Sequence, residues 1–304
     1  MAQILFGTAS FAYEGWKGLV YHDRYREASF KVECLREYAR FPPFRTVEFD
    51  FPFYRPPTET QLQRYASALP SGFPVVSKVW EEITIPRFPE LPRYGERAGA
   101  ENPRYLDASA FQEEVLRPYE KAFRDHMGPF VFEFPTEWQP TPERRRGFLE
   151  KLESFFARLP RAHSYAVEIR TPAYFVPDYF ELLRRWKVAH VFNWWTRTPA
   201  LLEQWEAALP LPAKFAVIRI LVPPGLPYAM AVERFRPYDR LTAPREDMRR
   251  DLVRLIRNVT AAGADVFVLV NNRAEGCAPL TIRALAMELG IEITEPGPPR
   301  TLFD

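Results

Sequence analysis

Eight short apolar runs recur along the chain, and each is followed by a stretch with helical spacing. The runs cover residues 4–10, 46–51, 75–80, 130–135, 165–170, 188–195, 215–221 and 266–272. Such runs are typical of strands in a parallel sheet that helices cover. Eight strands alternating with helices predict an α/β fold, the (β/α)8 TIM barrel, formed as a single domain by residues 1–304.

Several of these runs end in charged or amide residues. In a (β/α)8 barrel the C-terminal ends of the strands carry the active site, and side chains two positions apart face the same way. We therefore expect one polar mouth, made by Glu48, Asp50, Lys78, Glu133, Glu168, Arg170, Asn193, Arg219, Asn271 and Asn272. Carboxylates and cations nearly balance there, so they either pair with one another in a closed salt-bridge network or await a charged ligand.

Composition narrows the classes of protein. The net charge of +2 is too small to indicate nucleic-acid binding, although only seven of the 41 basic residues are lysine, and arginine favours bidentate contacts to carboxylate or phosphate. Cys34 and Cys277 alone make no disulfide framework. No apolar run approaches the roughly 20 residues that a membrane span needs, and the N-terminus lacks a signal-peptide pattern. We expect a cytoplasmic, soluble protein with no membrane partner.

The longest irregular stretch is 86–107, which is rich in Pro, Arg and Gly. Loops of this length are usually functional or mobile. We predict a lid over the barrel mouth, with a mobile surface insertion as the alternative.

The sequence requires no cofactor, but the mouth offers ligands for a divalent metal. Hard cations such as Mg²⁺ and Mn²⁺ prefer carboxylate oxygens. If a metal is present, we expect it on Glu48, Asp50, Glu133 and Glu168. A histidine-rich zinc cluster is not expected, because only His22 of the four histidines falls near the mouth.

Lys78 is the one lysine at a predicted strand end. Desolvation and a neighbouring arginine would lower its pKa and make it a Schiff-base amine. The alternative is a simple ion pair with Glu48 or Glu133.

Two features favour a small ligand. Gly276 opens the last helix, where backbone N–H groups, Arg219 and Arg273 could bind an anion such as phosphate; an ordinary strand-to-helix turn is the alternative. Aromatic side chains also fall at or just beyond the strand ends, where they would stack a sugar or a base or pack beneath the helices. These are Tyr13, Trp16, Tyr54, Trp80, Trp138, Tyr174, Trp194 and Trp195.

Spaced motifs on five predicted strands carry a family resemblance. They are Gly7-Thr8 with Tyr13, Trp16, Gly18 and Tyr21; Val47-Glu48-Phe49-Asp50 with Phe53-Tyr54-Arg55; Lys78; Val167-Glu168-Ile169-Arg170; and Asn271-Asn272 with Gly276 and Ala278-Pro279. Over nearly its whole length the chain resembles the domain-of-unknown-function 72 family, the YecE-like proteins. The resemblance implies a single-domain TIM barrel of no established reaction, for which likeness to endonuclease IV-like barrels has suggested nucleic-acid binding.

The chain departs from the family pattern at several positions. Asp50 and Thr281 stand where the family usually has Asn, while Thr171 and Arg273 stand where it has His. The family's His after the strand-seven arginine is also missing. If those histidines are acid–base groups, the resemblance implies a divergent or inactive member.

The leading functional prediction is a hydrolase-like enzyme acting on a small anionic or phosphorylated ligand. Its catalytic residues would be Glu48 or Glu168 as general base, with Lys78, Arg170 and Arg219 stabilising negative charge. The ligand-binding residues would be Tyr13, Trp16, Tyr54, Arg55, Arg219, Asn271, Asn272 and Gly276.

Two alternatives remain open. One is a nucleic-acid-binding protein that uses the arginine-rich stretches 86–104 and 234–250, for which binding would depend strongly on salt. The other is a lyase or isomerase acting through a Schiff base at Lys78.

Overall fold

The computed structural model describes residues 2–137 and 139–293. Eight parallel strands form one sheet in which β2 to β8 pair in sequence order and β8 also pairs with β1. The strands are β1 Ile4–Thr8, β2 Val47–Phe49, β3 Val75–Lys78, β4 Met127–Phe134, β5 Tyr165–Ile169, β6 Ala189–Trp194, β7 Phe215–Ile220 and β8 Asp265–Val270. The predicted fold is confirmed: the chain is a (β/α)8 TIM barrel.

Helices surround the sheet and connect successive strands. They are α1 Phe30–Tyr38, α2 Glu59–Ala66, α3 Glu81–Thr84, α4 Ala108–Ala110, α5 Arg117–Ala122, α6 Pro142–Ala157, α7 Pro177–Trp186, α8 Leu201–Ala208, α9 Tyr228–Phe235, α10 Glu246–Ala261 and α11 Ala278–Glu288. The stretch from α4 to α5 is not uniformly α-helical: a π-helical stretch, Phe111–Leu116, precedes α5, and Pro118 stands in the first turn of α5. Among the described residues, no helix is long and apolar enough to cross a membrane.

The barrel interior is a packed core below its polar mouth. Small and branched side chains fill it, namely Val76, Val131, Ala166, Ala189, Val191, Val217 and Leu269. The outer faces of the strands pack against the helices in a second, much larger apolar cluster that is rich in aromatic rings. Both faces of each strand are therefore buried, which explains the near-continuous apolar runs of the sequence.

The barrel closes between β1 and β2 through a few backbone contacts. The N–H groups of Arg45 and Thr46 donate to the carbonyl oxygen of Phe6 at 2.8 and 3.2 Å. Gly7 makes this approach fit, because a Cβ at that position would lie 2.2 Å from the Thr46 carbonyl oxygen. Closure at this seam brings Glu48 of β2 to the same mouth as the residues of β7 and β8.

Segment 86–107 is folded against the barrel. Its two limbs pair at Arg87 and Glu101, and Pro92–Arg97 form a 3₁₀ turn between them. The side chain of Asn102 donates to the carbonyl oxygens of Glu82 and Ile85 at 2.6 and 2.7 Å. These contacts hold the segment at its base. That the segment acts as a lid over the barrel mouth stays a prediction.

Candidate functional site

Arg219 on β7 holds three carboxylates together at the barrel mouth. Its Nε and Nη2 donate to the two carboxylate oxygens of Glu48 at 2.9 and 2.7 Å. Its Nη1 donates to Glu133 at 2.8 Å and also to Glu168. All four side chains are almost fully buried. The predicted salt-bridge network is therefore present, with one guanidinium at its centre.

Two further cations complete the network. Lys78 Nζ lies 2.9 Å from Asp50 and 3.1 Å from Glu133. Arg170 binds Glu168 through Nε at 2.7 Å and Glu133 through Nη2 at 3.0 Å. The strands set this geometry, because Lys78, Glu133, Glu168 and Arg219 stand near the C-terminal ends of β3, β4, β5 and β7.

The network shifts the pKa values of two of its carboxyl groups in opposite directions. Burial raises the pKa of Glu48, and the attraction of Arg219 and Lys78 only partly offsets this. Burial acts the same way on Glu133, but Arg170, Lys78 and Arg219 together outweigh it and hold its pKa well below the ordinary value. Burial by itself lowers the pKa of Lys78, yet Glu133 and Asp50 overcome that effect and raise it above the ordinary value. Lys78 is therefore a protonated amine, unlike the neutral nucleophile that a Schiff base requires.

A cavity of about 520 Å³ opens above the network. Glu48, Asp50, Lys78, Glu133, Arg170 and Arg219 form its floor. Its walls are largely aromatic, made by Tyr13, Phe53, Tyr54, Trp195, Tyr228 and Tyr238. A larger cavity of about 720 Å³ lies beside α6, but its lining is mainly apolar and contains none of the network residues. We therefore take the cavity over the network, the mouth cavity, as the candidate functional site.

The backbone is strained at two points of the mouth cavity. Ser10 and Tyr238 both line it and both have positive φ, 104° and 72°, which side chains other than glycine rarely adopt. Tyr238 also packs edge-on against Tyr13, with ring centroids 5.4 Å apart. Strain of this kind persists where the surrounding structure enforces it and is common at ligand sites.

Several predicted ligand-binding residues lie elsewhere. Trp16 is buried, and its indole N–H donates to the side-chain oxygen of Asn272 at 3.2 Å. The same oxygen accepts from the N–H of Ala278 at 2.8 Å, so Asn272 caps the last helix. Gly276 packs against backbone, since a Cβ there would lie 2.4 Å from the carbonyl oxygen of Arg240. The α11 turn thus follows the ordinary-turn alternative.

The remaining predicted residues divide between the cavity and the surface. Tyr13, Tyr54 and Asn271 line the mouth cavity, while Arg55 is exposed and stands outside its lining. Two departures from the family pattern, Asp50 and Arg273, also line it. The other two do not: the Thr171 hydroxyl accepts from the N–H of Glu137, and the Thr281 hydroxyl donates to a helical carbonyl. Trp138, predicted at the mouth, lies outside the described residues.

The carboxylates do not form a vacant metal site. Glu48, Glu133 and Glu168 all contact Arg219, Lys78 also contacts Glu133, and Arg170 contacts both Glu133 and Glu168. A divalent cation among them would meet three positive charges at close range, so this donor set does not suit a metal. In the part of the chain that the structure describes, no group of three or more His, Cys, Asp or Glu residues could hold a metal ion.

Sequence reasoning missed the part of the mouth cavity made by α9 and the residues after it. Tyr228, Val232, Arg236 and Tyr238 all line the cavity. They follow strand seven at a distance in sequence, and α9 brings them back over the mouth. The basic composition of 234–250 was the only signal that pointed to this region.

The fold and the site define a class: a (β/α)8 barrel with an ion-paired cavity at the C-terminal ends of its strands. The sequence model of the family described as protein of unknown function DUF72 matches residues 5–302. The chain belongs to this DUF72 family, as its motifs indicated.

Solved structures of other members share the fold. A DUF72 family protein from Enterococcus faecalis V583 is 19% identical, with a TM-score of 0.66 over 98% of this chain and 100% of that one. A DUF72 family protein from Thermotoga maritima MSB8 is 19% identical, with a TM-score of 0.63 over 95% of this chain and 99% of that one. No curated protein matches the chain.

Proposed function

We propose that this protein is an enzyme of hydrolase-like chemistry that acts on a small anionic or phosphorylated ligand in the mouth cavity. The observation that carries the proposal is a cavity of about 520 Å³ whose floor holds two carboxyl groups with opposite pKa shifts. Cavities of this size suit small molecules. Paired titratable groups pushed apart in pKa are the usual sign of acid–base assignments.

The roles follow from which groups face the cavity. Glu48 lines the cavity, and burial raises its pKa, which makes its carboxylate a stronger proton acceptor and suits it to the role of general base. Glu133 stays ionised and fixes Lys78 and Arg170, which also line the cavity and stabilise negative charge that develops on the substrate. Glu168 is fully buried outside the lining and positions Arg170, Arg219 and Asn193. This favours Glu48 over Glu168 as the base.

The contacts of the arginines weigh against nucleic-acid binding through segment 86–104. Arg93 and Arg97 pair with Glu81 and Glu82, each at 2.8 Å, and Arg104 pairs with Glu114. Arg87 donates to the carbonyl oxygen of Gly99. The segment is thus largely neutralised by its own contacts and offers few free charges to phosphates.

The proposed function is tested by measuring enzymatic turnover. The purified chain is assayed against panels of small phosphate monoesters and carboxylic esters, and Glu48→Gln is then compared with wild type on any substrate found. We expect kcat to fall at least 100-fold in Glu48→Gln, because a positioned base contributes about 10²–10⁴-fold. Glu150→Gln, at an exposed glutamate of α6, is the matched control and should keep full activity. Equal kcat for Glu48→Gln and wild type would remove Glu48 from the mechanism.

A further inference from the structure

The cations on the floor of the mouth cavity are already neutralised. Lys78 and Arg170 each contact two carboxylates, and Arg219 contacts three. Across the floor network, four carboxylates face these three cations. The side chain of Asp50 is also 41% exposed toward the cavity side of the network. The floor cations are thus shared among carboxylates, so a permanently anionic group of the ligand has, among the described residues, no unpaired cation to bind there, unlike charge that develops only during the reaction.

The entrance of the same cavity has the opposite charge. Arg236 and Arg273 both line it. Within 2–137 and 139–293, neither has a carboxylate within ion-pair distance, in contrast to the arginines on the floor. Arg236 is exposed, so its guanidinium can reorient toward a ligand at little cost.

Arg273 is held in place by a neighbouring ring rather than by an acid. Its Nη2 donates to the Tyr228 hydroxyl at 3.0 Å, and its guanidinium carbon lies 4.5 Å from the centre of that ring. Its Nε is buried and, among the described residues, has no hydrogen-bond partner. A buried charged donor without a partner is costly, so this guanidinium is less completely satisfied than those on the floor.

The walls indicate what the rest of the ligand is. Among the described residues, the aromatic side chains that line the cavity are those of Tyr13, Phe53, Tyr54, Trp195, Tyr228 and Tyr238. Aromatic faces stack on the C–H faces of sugar rings, and carboxylates such as that of Asp50 accept hydrogen bonds from hydroxyl groups. A ligand with an anionic group at one end and hydroxyl groups at the other would match the distribution of charge in the mouth cavity.

We propose that the ligand is a small sugar phosphate, bound with its phosphate outward on Arg236 and Arg273 and its hydroxyl groups toward Asp50 and Lys78. This rests on the proposed function of the mouth cavity and adds the substrate class and the residues that determine specificity. Arginine suits the task, because its planar guanidinium binds phosphate through two parallel hydrogen bonds.

The experiment is isothermal titration of the full chain with a panel of pentose and hexose monophosphates, the matching free sugars, and inorganic phosphate. The tightest sugar phosphate is then titrated into Arg236→Gln, Arg273→Gln and the control Arg254→Gln, which changes an exposed arginine on α10. We expect each of the first two to weaken binding at least tenfold and the control to stay within twofold. Thermal melting checks that each variant is folded, and Arg236→Gln, at an exposed position, tests the proposal even if Arg273→Gln fails to fold.

Three results would overturn the inference. They are no binding of any sugar phosphate to wild type at millimolar concentration, unchanged binding by both arginine variants, or inorganic phosphate binding as tightly as the sugar phosphates. The enzymatic proposal fails separately: sugar phosphates would bind through Arg236 and Arg273, yet no turnover dependent on Glu48 would be found. Conversely, turnover of a neutral ester that depends on Glu48, without binding of sugar phosphates, would reject only the ligand class.

Discussion

Arg219 shows how a single residue organises the mouth of this barrel. Buried carboxylates repel one another and lose hydration, yet Glu48, Glu133 and Glu168 share one guanidinium and are each hydrogen-bonded. A buried network of this kind adds little net stability compared with apolar packing, but removing one partner costs about 3–5 kcal/mol. The network is therefore better understood as a device that positions charges beneath the cavity than as a source of stability.

Titration of His190 should make the free energy of unfolding depend on pH in the acidic range. It is buried among aromatic rings, near the hydroxyl of Tyr179 and the side chain of Gln204. Burial lowers its pKa from the ordinary 6.5 to about 4. Because the folded pKa is depressed, the unfolded chain binds more protons between these values, so His190 contributes stability that is full above pH 6.5 and is lost as pH falls toward 4.

We therefore expect the free energy of unfolding to fall with acidification more in wild type than in His190→Phe. Between pH 7 and pH 5 the extra loss should be about 2 kcal/mol. Urea unfolding of both proteins at the two pH values measures it, with His22→Gln at an exposed histidine as control. Parallel pH dependence of wild type and His190→Phe would show that His190 does not titrate in this way.

Among the elements, segment 86–107 departs furthest from what its composition suggests. Glycine and proline indicated a loop, but Ile85, Phe88 and Tyr94 form a small buried cluster of their own. Two buried glutamates of α3, Glu81 and Glu82, anchor its arginines. Arg93 also lies 5.6 Å from the ring of Tyr54, which connects the segment to the wall of the mouth cavity.

These anchoring ion pairs predict which part of the segment opens when one of them is removed. Glu82→Gln removes the charge that Arg97 contacts at 2.8 Å, and charged hydrogen bonds contribute about 1.5–3 kcal/mol. We expect hydrogen exchange at the amides of Phe88 and Gly99, which pair across the segment, to speed up at least tenfold while the barrel strands stay protected. Glu113→Gln, at an exposed ion pair on the π-helical stretch that follows the segment, is the control. Unchanged exchange in Glu82→Gln would mean that the ion pair between Arg97 and Glu82 does not hold the segment closed.

In individual elements, local sequence signals mark some boundaries correctly and miss others. Thr58 caps α2, because its hydroxyl accepts a 3.1 Å hydrogen bond from the Gln61 N–H, and a Thr three residues before a Gln is a local signal of a helix start. The run predicted as strand two is shorter than expected, because a 3₁₀ turn begins directly after Asp50 and ends the pairing. The residue at which a strand ends depends on pairing with neighbouring strands in the sheet. A single run of sequence does not contain that information.

For the whole molecule, the seam between β1 and β2 is the point where the barrel depends on one small residue. We expect Gly7→Ala to lower the free energy of unfolding by about 3 kcal/mol, because the added methyl would clash with the backbone of Thr46. Gly147→Ala is the matched control: it lies within α6 with open space around a Cβ, so the same change should stabilise by about 1 kcal/mol. Denaturant unfolding of both variants compares them. Similar stability for both would show that the seam tolerates a wider separation of the strands.

The sequence by itself determined the barrel and the polar strand ends, because both come from local regularities. Alternating apolar runs and helical spacings report burial on each element, and parallel strands must bring their C-terminal ends to one mouth. Only the tertiary structure decided how the charges pair and which aromatic rings face the cavity. Trp16 and Tyr238 show the reason: similar rings fall beyond strands, yet one packs beneath the surface and the other lines the mouth cavity. That choice depends on contacts between residues far apart in sequence, such as Tyr13 with Tyr238 and Glu48 with Arg219.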